Sequence, residues 1–325
     1  MWTTTVTRRG VLSSAFAALT ASSSLVYSVS PVPAAVPPST VRAVTAAGNV
    51  IYLLSQTSVG TVRVHTARRS LGRIEIRDET VVDFNDNVIV TDVSGSDSEL
   101  WIAGFSWNKG EWHRSIDAPE TLPAHWQRLA GEADPDAGES RRYRQWQSIP
   151  VLVRWRPGQP PSTISLGSFP LRQSYVVAAH HNGRGRAGVV VAGCLQGDTQ
   201  TVTRVYQLAT TDAGRSWRRR VIHKDPAEMR HVSSAADANG NHAIVVPTAD
   251  GGSTVHLGRL GRTTTQRTYS HPERRSIGDE LVLPSIDGGV SMVESTDPAI
   301  RLLPVNGWPR RYLTVSHDHL SVQEA

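Results

Sequence analysis

Residues 210–217 read Thr-Thr-Asp-Ala-Gly-Arg-Ser-Trp, and this stretch decides the fold. The side chain of Asp212 can accept hydrogen bonds from the N–H groups of its own turn. Gly214 supplies a backbone conformation that a side chain would oppose, and Trp217 brings a large aromatic surface to bury. Strand-like runs flank the turn at 203–209 and 218–222. The stretch therefore predicts a hairpin between two β-strands.

Two weaker copies of this pattern follow it along the chain. The first keeps Asp250 and Gly252 but ends in Val instead of Trp. The second keeps Asp287 and Gly289 and ends in Met. Asp250 lies 38 residues after Asp212, and Asp287 lies 37 residues after Asp250. This spacing is typical of a repeated β-unit.

Short apolar runs that follow Gly, Asn or Asp turns recur along the rest of the chain, and steps of 38 residues separate three successive pairs of them. The other two steps are 63 and 54 residues long. Units of this length predict an all-β fold, most simply a six-bladed β-propeller. Five or seven blades stay open because the longer steps have room for others, and the alternative architecture is a large β-sandwich. The runs begin near Val50, Val88, Val151, Val189, Ala243 and Leu281.

The stretch 210–217 matches the Asp-box, Ser/Thr-x-Asp-x-Gly-x-Ser/Thr-Trp, at every defined position. In this the chain resembles the sialidase-like propeller superfamily, also known by its BNR repeats. The resemblance implies that the motif residues are structural and lie away from the catalytic face. Sialidases also carry an early Arg-Ile-Pro element, which this chain lacks; residues 73–75 read Arg-Ile-Glu. The resemblance thus predicts fold more than sialidase activity. The matched residues are Thr210, Asp212, Gly214, Ser216 and Trp217.

The first residues have the organisation of an export signal. Arg8 and Arg9 precede a weakly apolar, serine-interrupted stretch at 11–29 that is a poor membrane span. This pattern resembles a twin-arginine signal, with cleavage expected after Ala34. We therefore expect a signal at 1–34, a Pro-rich linker at 35–47 and one domain at 48–325, secreted or in the cell envelope. An ordinary secretory signal or an uncleaved anchor is the alternative.

Composition narrows the classes of function. The 325-residue chain has a formal charge of +5, which falls to +3 without residues 1–34, because these contain two arginines and no acids. No block of like charges stands out, so nucleic acid is not an expected partner. Cys194 is the single cysteine and excludes an intramolecular disulfide.

Three further patterns are interpreted as structural. The glycine pattern at 183–188 precedes a Val-rich strand, whereas a dinucleotide site needs a helix there, so it predicts a turn. His180 and His181, and the pair His317 and His319, are interpreted as surface histidines. We expect neither a metal nor a cofactor.

The long step between the second and third runs contains an aromatic insertion at about 106–148. Tryptophans beside arginines and carboxylates are typical of sugar-binding loops, and long loops in compact domains are often functional. The alternative is that these aromatics only pack the insertion against the domain. The candidate ligand-binding residues are Trp107, Trp112, Trp126, Arg141, Tyr143 and Trp146.

These observations favour a secreted sialidase-like propeller that binds, and in the stronger form of the hypothesis hydrolyses, a glycan or other extracellular polymer. The competing hypothesis is a non-catalytic propeller that holds protein partners in the cell envelope. The mouths of the central channel discriminate between them. Clustered carboxylates with Tyr or Arg would favour an enzyme, and a flat or apolar rim would favour a scaffold.

Overall fold

The structure of the protein is a computed structural model, which describes part of the chain. The described residues form strands and turns and contain no α-helix, which confirms the predicted all-β class. Within them no helix is long and apolar enough to cross a bilayer. The predicted signal at 1–34 lies outside the described residues. These are 40–58, 60–70, 73–84, 88–96, 98–109, 146–171, 173–196, 201–225, 232–248, 252–259, 261–269, 280–284, 290–294, 300–315 and 320–325.

The described residues form twenty-one strands in six consecutive units, and neighbouring strands within a unit are antiparallel. The first unit consists of β1 (Val41–Ala47), β2 (Val50–Ser58), β3 (Thr61–Ser70) and β4 (Arg73–Asp83). The second consists of β5 (Val88–Gly95), β6 (Leu100–Lys109), β7 (Trp146–Trp155) and β8 (Ser162–Thr163). The third consists of β9 (Gln173–His181), β10 (Ala187–Gln196), β11 (Thr201–Thr210) and β12 (Arg218–Asp225).

The remaining units are shorter. The fourth consists of β13 (Ser233–Ala236), β14 (Asn241–Pro247), β15 (Ser253–Arg259) and β16 (Arg262–Tyr269). The fifth is the hairpin of β17 (Glu280–Pro284) and β18 (Val290–Glu294). The sixth consists of β19 (Arg301–Asn306), β20 (Arg311–Val315) and β21 (Leu320–Glu324).

The first strands of the units contact one another in a closed cycle. β1 contacts β5, β5 contacts β9, β9 contacts β13, β13 contacts β17 and β19, and β17 contacts β19. β19 then pairs in parallel with β1, with Val305 opposite Val44 and Asn306 opposite Thr45. This cyclic order is the propeller arrangement predicted from the sequence, whereas a sandwich would place its strands in two facing layers.

Apolar side chains fill the space between neighbouring units. Leu54 and Val62 of the first unit pack with Val90, Ile102 and Val153 of the second, and all five are at most 3% exposed. Burying one such side chain contributes about 1.5–3 kcal/mol. One similar cluster joins the second, third and fourth units, and another joins the fourth, fifth and sixth. A third cluster joins the sixth unit to the first. The ring is therefore held by burial between sheets, in addition to the hydrogen bonds within each sheet.

The aligned runs of the sequence do not occupy equivalent strands. Val50 lies in a second strand, whereas Val88 lies in a first strand and Val151 in the third strand of that same unit. The sixth unit contains none of the aligned runs. The predicted linker at 35–47 is wrong in its second half, because Val41–Ala47 is the completely buried strand β1. The predicted insertion overlaps β6 and β7, and the segment between these strands, 110–145, lies outside the described residues.

Candidate functional site

A pocket of about 300 Å³ lies at the mouth of the channel where the first strands end. We call this end the carboxyl mouth and the other end the amino mouth. The pocket is lined by the final residues of β1, β5, β9, β13 and β19 and by the turns that follow them. The lining residues with polar or aromatic side chains include Thr45, Ser94, His180, His181, Asp237, Asn306 and Trp308.

A buried polar network joins the first strands beneath this pocket. The side-chain amide of Asn306 donates to Asp92 Oδ1 at 2.6 Å and to the carbonyl of Val93 at 2.9 Å. Its Oδ1 accepts from the backbone N–H of Ala236 at 3.2 Å. Asp92 Oδ2 accepts from the N–H of Ala179 at 3.1 Å. Two side chains thus hold strands of four different units together.

Thr45 adds the first unit to this network. Its hydroxyl donates to the carbonyl of Asn306 at 3.1 Å and accepts from the N–H of Gly95 at 3.0 Å. Buried polar groups are costly when they are unpaired, so a network in which each member has partners favours one arrangement of the ring.

Asp92 is the most perturbed acid of the network. Burial raises its pKa to about 8, and the hydrogen bonds from Ala179, Val93 and Asn306 oppose that rise without cancelling it. The carboxyl group is therefore mostly protonated at neutral pH. A neutral Asp92 removes the cost of burying a charge at the centre of the ring.

Asp237 is the one carboxylate among the described lining residues, and its own turn occupies it. Oδ1 accepts from the N–H groups of Asn239 and Asn241, both at 2.9 Å, and Oδ2 accepts from Asn241 Nδ2 at 2.8 Å. The described lining contains no Lys, no Arg and no pair of carboxylates. The described lining of the pocket therefore carries a single ionisable acid and no basic Lys or Arg side chain.

His180, in β9, is 4% exposed and forms part of the pocket wall. Neither of its ring nitrogens has a hydrogen-bond partner among the described residues. Burial, with the nearby rings of His242 and His181, lowers its pKa to about 3. Its ring stacks on that of His242 at a centroid distance of 6.3 Å. His180 is therefore a buried, neutral imidazole whose ring nitrogens have no hydrogen-bond partner among the described residues.

His181 has a different environment. Its Nδ1 accepts from the N–H of Gly183 at 3.3 Å, so Nε2 carries the proton and donates to the carbonyl of Ser94 at 3.1 Å. The ring stacks on Trp101 at 5.0 Å. Burial lowers its pKa to about 4, although Glu99 opposes the shift. The interpretation as a surface histidine is thus wrong for His180, which is buried, and His181 is half-buried against the second unit.

The stretch 210–217 forms the hairpin between β11 and β12. Thr210 Oγ1 donates to Asp212 Oδ1 at 2.6 Å and accepts from the N–H of Gly214 at 3.1 Å. Ser216 donates to Asp212 through its N–H at 3.0 Å and through its hydroxyl at 2.6 Å. These bonds, led by those from Ser216 and Thr210, hold the pKa of Asp212 well below its usual range. Gly214 has φ +84°, a conformation that favours glycine.

The hairpin also supports the pocket wall. Trp217 Nε1 donates to the carbonyl of Ser165 at 2.9 Å, and its ring meets Trp101 edge-on at 6.3 Å. Trp101 is the residue on which His181 stacks. The N–H of Ala213 donates to the carbonyl of Gly185, in the turn that follows β9, at 2.8 Å. The hairpin therefore lies at the carboxyl mouth, on the same face as the pocket, whereas the resemblance implies a motif remote from the ligand.

The weaker copies of the motif do not occupy equivalent hairpins. Gly252 directly precedes β15 and so lies between the second and third strands of its unit, whereas Gly214 lies between a third and a fourth strand. Asp250, Asp287 and Gly289 lie outside the described residues. Their regular spacing along the chain therefore does not correspond to a repeated position in the units.

Two of the six residues of the predicted aromatic site lie in described strands, at the end of the molecule opposite the pocket. Trp107 in β6 pairs with Ser148, and Trp146 in β7 pairs with Lys109, beyond the start of β5. Both tryptophans are therefore at the amino mouth. The other candidates, Trp112, Trp126, Arg141 and Tyr143, lie outside the described residues, so the aromatic site stays a prediction.

The glycine pattern at 183–188 and the histidine pairs have different outcomes in the structure. Residues 182–186 form the turn between β9 and β10, which confirms that the glycine pattern at 183–188 is structural. In the described part of the chain, no group of three or more His, Cys, Asp or Glu side chains is arranged to hold a metal ion. His317 and His319 lie outside that part.

No protein-family model and no curated protein matches this chain. Solved structures resemble it at low identity. A Trypanosoma rangeli sialidase mutant that displays trans-sialidase activity aligns with 88% of this chain and 54% of its own, at 10% identity and a TM-score of 0.45. A mutant of the Synechocystis apocarotenoid oxygenase aligns with 88% of this chain and 61% of its own, at 10% identity and a TM-score of 0.42. The chain thus spans little more than half the length of these proteins.

Proposed function

We propose that this protein is an exported carbohydrate-binding β-propeller whose ligand site is the pocket at the carboxyl mouth. The observation that carries the proposal is a concave site with a mixed polar and apolar lining at one end of the ring of first strands, where the turns of several units meet. Trp308 lies in the same lining, half-buried, and an aromatic face of this kind packs against the apolar face of a sugar ring. The proposal of export by the twin-arginine route rests on the signal-like pattern of residues 1–34.

The site favours binding over hydrolysis. Glycosidases place two carboxyl groups about 5–10 Å apart across the scissile bond. Among the described lining residues Asp237 is the one carboxylate, and three hydrogen bonds from its own turn hold it. A lectin-like role needs no such pair.

The experiment is a glycan and polysaccharide array probed with residues 35–325. Trp308→Ala should abolish the hits if the carboxyl mouth is the site, while Trp112→Ala should leave them unchanged. The opposite pattern would move the site to the aromatic insertion. A blank array from a folded, monodisperse sample would refute carbohydrate binding and favour the protein-scaffold hypothesis.

A further inference from the structure

Two turns of the third unit are neighbours at the carboxyl mouth. The turn 182–186 joins β9 to β10, and its Asn182 lines the pocket. The hairpin 211–217 joins β11 to β12, and the N–H of Ala213 donates to the carbonyl of Gly185 at 2.8 Å. The two turns therefore form one surface that begins at the edge of the pocket and continues outward along the third unit.

The fourth unit extends this surface. The turn between β15 and β16 packs against the end of β11, since a Cβ on Gly261 would lie 2.7 Å from that of Ala209. Between the two units, Gln207 Oε1 accepts from the hydroxyl of Thr263 at 3.0 Å and from Arg220 at 3.5 Å. The first residues of β12 and of β16 are therefore adjacent at the same end of the ring.

Exposed arginines are concentrated on this surface. Residues 182–220 contain seven arginines, two aspartates and no other charged residue. Arg218 and Arg220 alternate along β12, so they leave the same face of the strand, the face that meets the fourth unit. Folding brings together arginines as far as 78 positions apart in the sequence. We call this the arginine surface, and its exposed members are Arg184, Arg186, Arg215, Arg218, Arg220 and Arg262.

These six side chains are accessible to an external anion. None of them forms an ion pair with a carboxylate in the described part of the chain. Asp212, the acid of the hairpin, accepts three hydrogen bonds from Thr210 and Ser216. Glu99, on the adjoining second unit, is paired with Arg156 at 2.9 Å. A cluster of like charges raises the local potential and attracts ligands of the opposite charge.

We propose that the arginine surface binds an acidic polysaccharide, one sugar unit of which occupies the pocket while the following units lie across the surface. This inference rests on the proposed carbohydrate-binding function. A guanidinium group binds a carboxylate through two parallel hydrogen bonds, so a row of them matches a polymer with a charge on successive units. A pocket of about 300 Å³ is at the lower end of the range for ligand pockets and suits a single ring.

Continuity with the pocket favours a polysaccharide over a nucleic acid. A polysaccharide uses the arginines and the pocket together, because its units are sugar rings throughout. A nucleic acid needs the arginines alone, since its phosphates supply most of the affinity.

The test is binding of residues 35–325 to polygalacturonate and alginate, with their fully esterified forms as neutral probes, because esterification removes the charge and keeps the backbone. We expect the esterified forms to bind at least about tenfold more weakly, and the affinity for the acidic forms to fall as salt rises. Changing Arg215→Gln and Arg218→Gln together should weaken Kd about tenfold through two lost surface charge contacts.

A matched control removes the same charge elsewhere. Lys224→Gln with Arg267→Gln changes two exposed residues at the far ends of β12 and β16, and it should leave Kd within about twofold. Thermal melts of both double variants check folding. A DNA duplex of similar charge is the comparison polyanion, and it should bind more weakly than polygalacturonate or alginate.

The outcomes separate this inference from the proposed function. Esterified polymers that bind as tightly as the acidic ones would overturn the inference and leave carbohydrate binding intact. Equal losses in the two double variants would show that net charge matters and the arginine surface does not. DNA that binds as tightly as either acidic polymer would overturn the choice of a polysaccharide. Failure of every acidic and neutral polysaccharide, here and on the array, would overturn the proposed function itself.

Discussion

Acidification from pH 7 to pH 5 should destabilise this protein through its buried histidines. His180 and His242 are 4% and 2% exposed, and burial lowers their pKa values from 6.5 to about 3 and about 4. Between pH 6.5 and pH 5 the unfolded chain therefore binds protons at these positions and the folded protein does not. Stability must fall as pH falls, because the unfolded state binds more protons.

The magnitude follows from the size of this pH interval. Each pH unit corresponds to about 1.4 kcal/mol for one such group, so each histidine should lower the free energy of unfolding by about 2 kcal/mol at pH 5. Asp92 acts in the opposite direction. Its pKa is raised to about 8, so the folded protein holds a proton that the unfolded chain releases, and acidification to pH 5 should add about 2–3 kcal/mol to the free energy of unfolding.

The assay is urea unfolding at pH 7 and pH 5, read by tryptophan fluorescence. The quantity compared is the change in unfolding free energy between the two pH values, and not the stability of each variant. His180→Phe should make that acid-induced loss smaller by about 2 kcal/mol, whereas Asp92→Asn should make it larger by about 2–3 kcal/mol. If His180→Phe leaves the acid-induced loss unchanged, the imidazole is not held neutral and the reasoning is refuted.

Three other substitutions, one of them with a matched control, test the ring and the hairpin. Asn306→Leu should cost about 3 kcal/mol in urea unfolding, because it leaves buried partners unpaired, and a cost below about 1 kcal/mol would refute the importance of the network. Gly307→Ala places a Cβ 2.1 Å from a backbone oxygen at φ +91° and should prevent folding. The control Gly158→Ala, at φ +75° with open space around it, should lower the free energy of unfolding by only about 1 kcal/mol. Similar melting temperatures of the two variants would contradict this. Asp212→Ala should speed hydrogen exchange of the Ser216 amide, and an unchanged exchange rate would show that the turn does not need the carboxylate.

Local chemistry made one part of the fold predictable. The side-chain hydrogen bonds that shape the hairpin, those of Thr210, Asp212 and Ser216, lie within the eight residues 210–217. The all-β class follows equally well from short apolar runs between turn residues.

The position that each apolar run occupies within its unit was not predictable in the same way. Val88 and Val151 belong to one unit because the segment 110–145 separates strands that pair with each other, and the fifth unit has only two described strands. Equal spacing along the chain therefore does not imply an equal position in a unit.

The pocket was not predictable because its residues come from five first strands that meet only when the ring closes. His180 follows the apolar run 175–179, which was a signal of a buried strand. Whether the strand ends in solvent or in a pocket wall depends on contacts with residues such as Asn306, more than a hundred positions away.

The pairing of β1 with β19 also has a consequence for how the chain folds. The hydrogen bond from Thr45 to Asn306 spans 261 positions, so closure is a contact of very high sequence separation. The chain loses the entropy of loop closure before such a contact stabilises it, so contacts of high sequence separation are associated with slow folding. Until the sixth unit is made and docked, β1 presents an unpaired edge that can pair with another chain. A nascent or truncated chain without β19–β21 should therefore aggregate, even though its other units contain all their own strands.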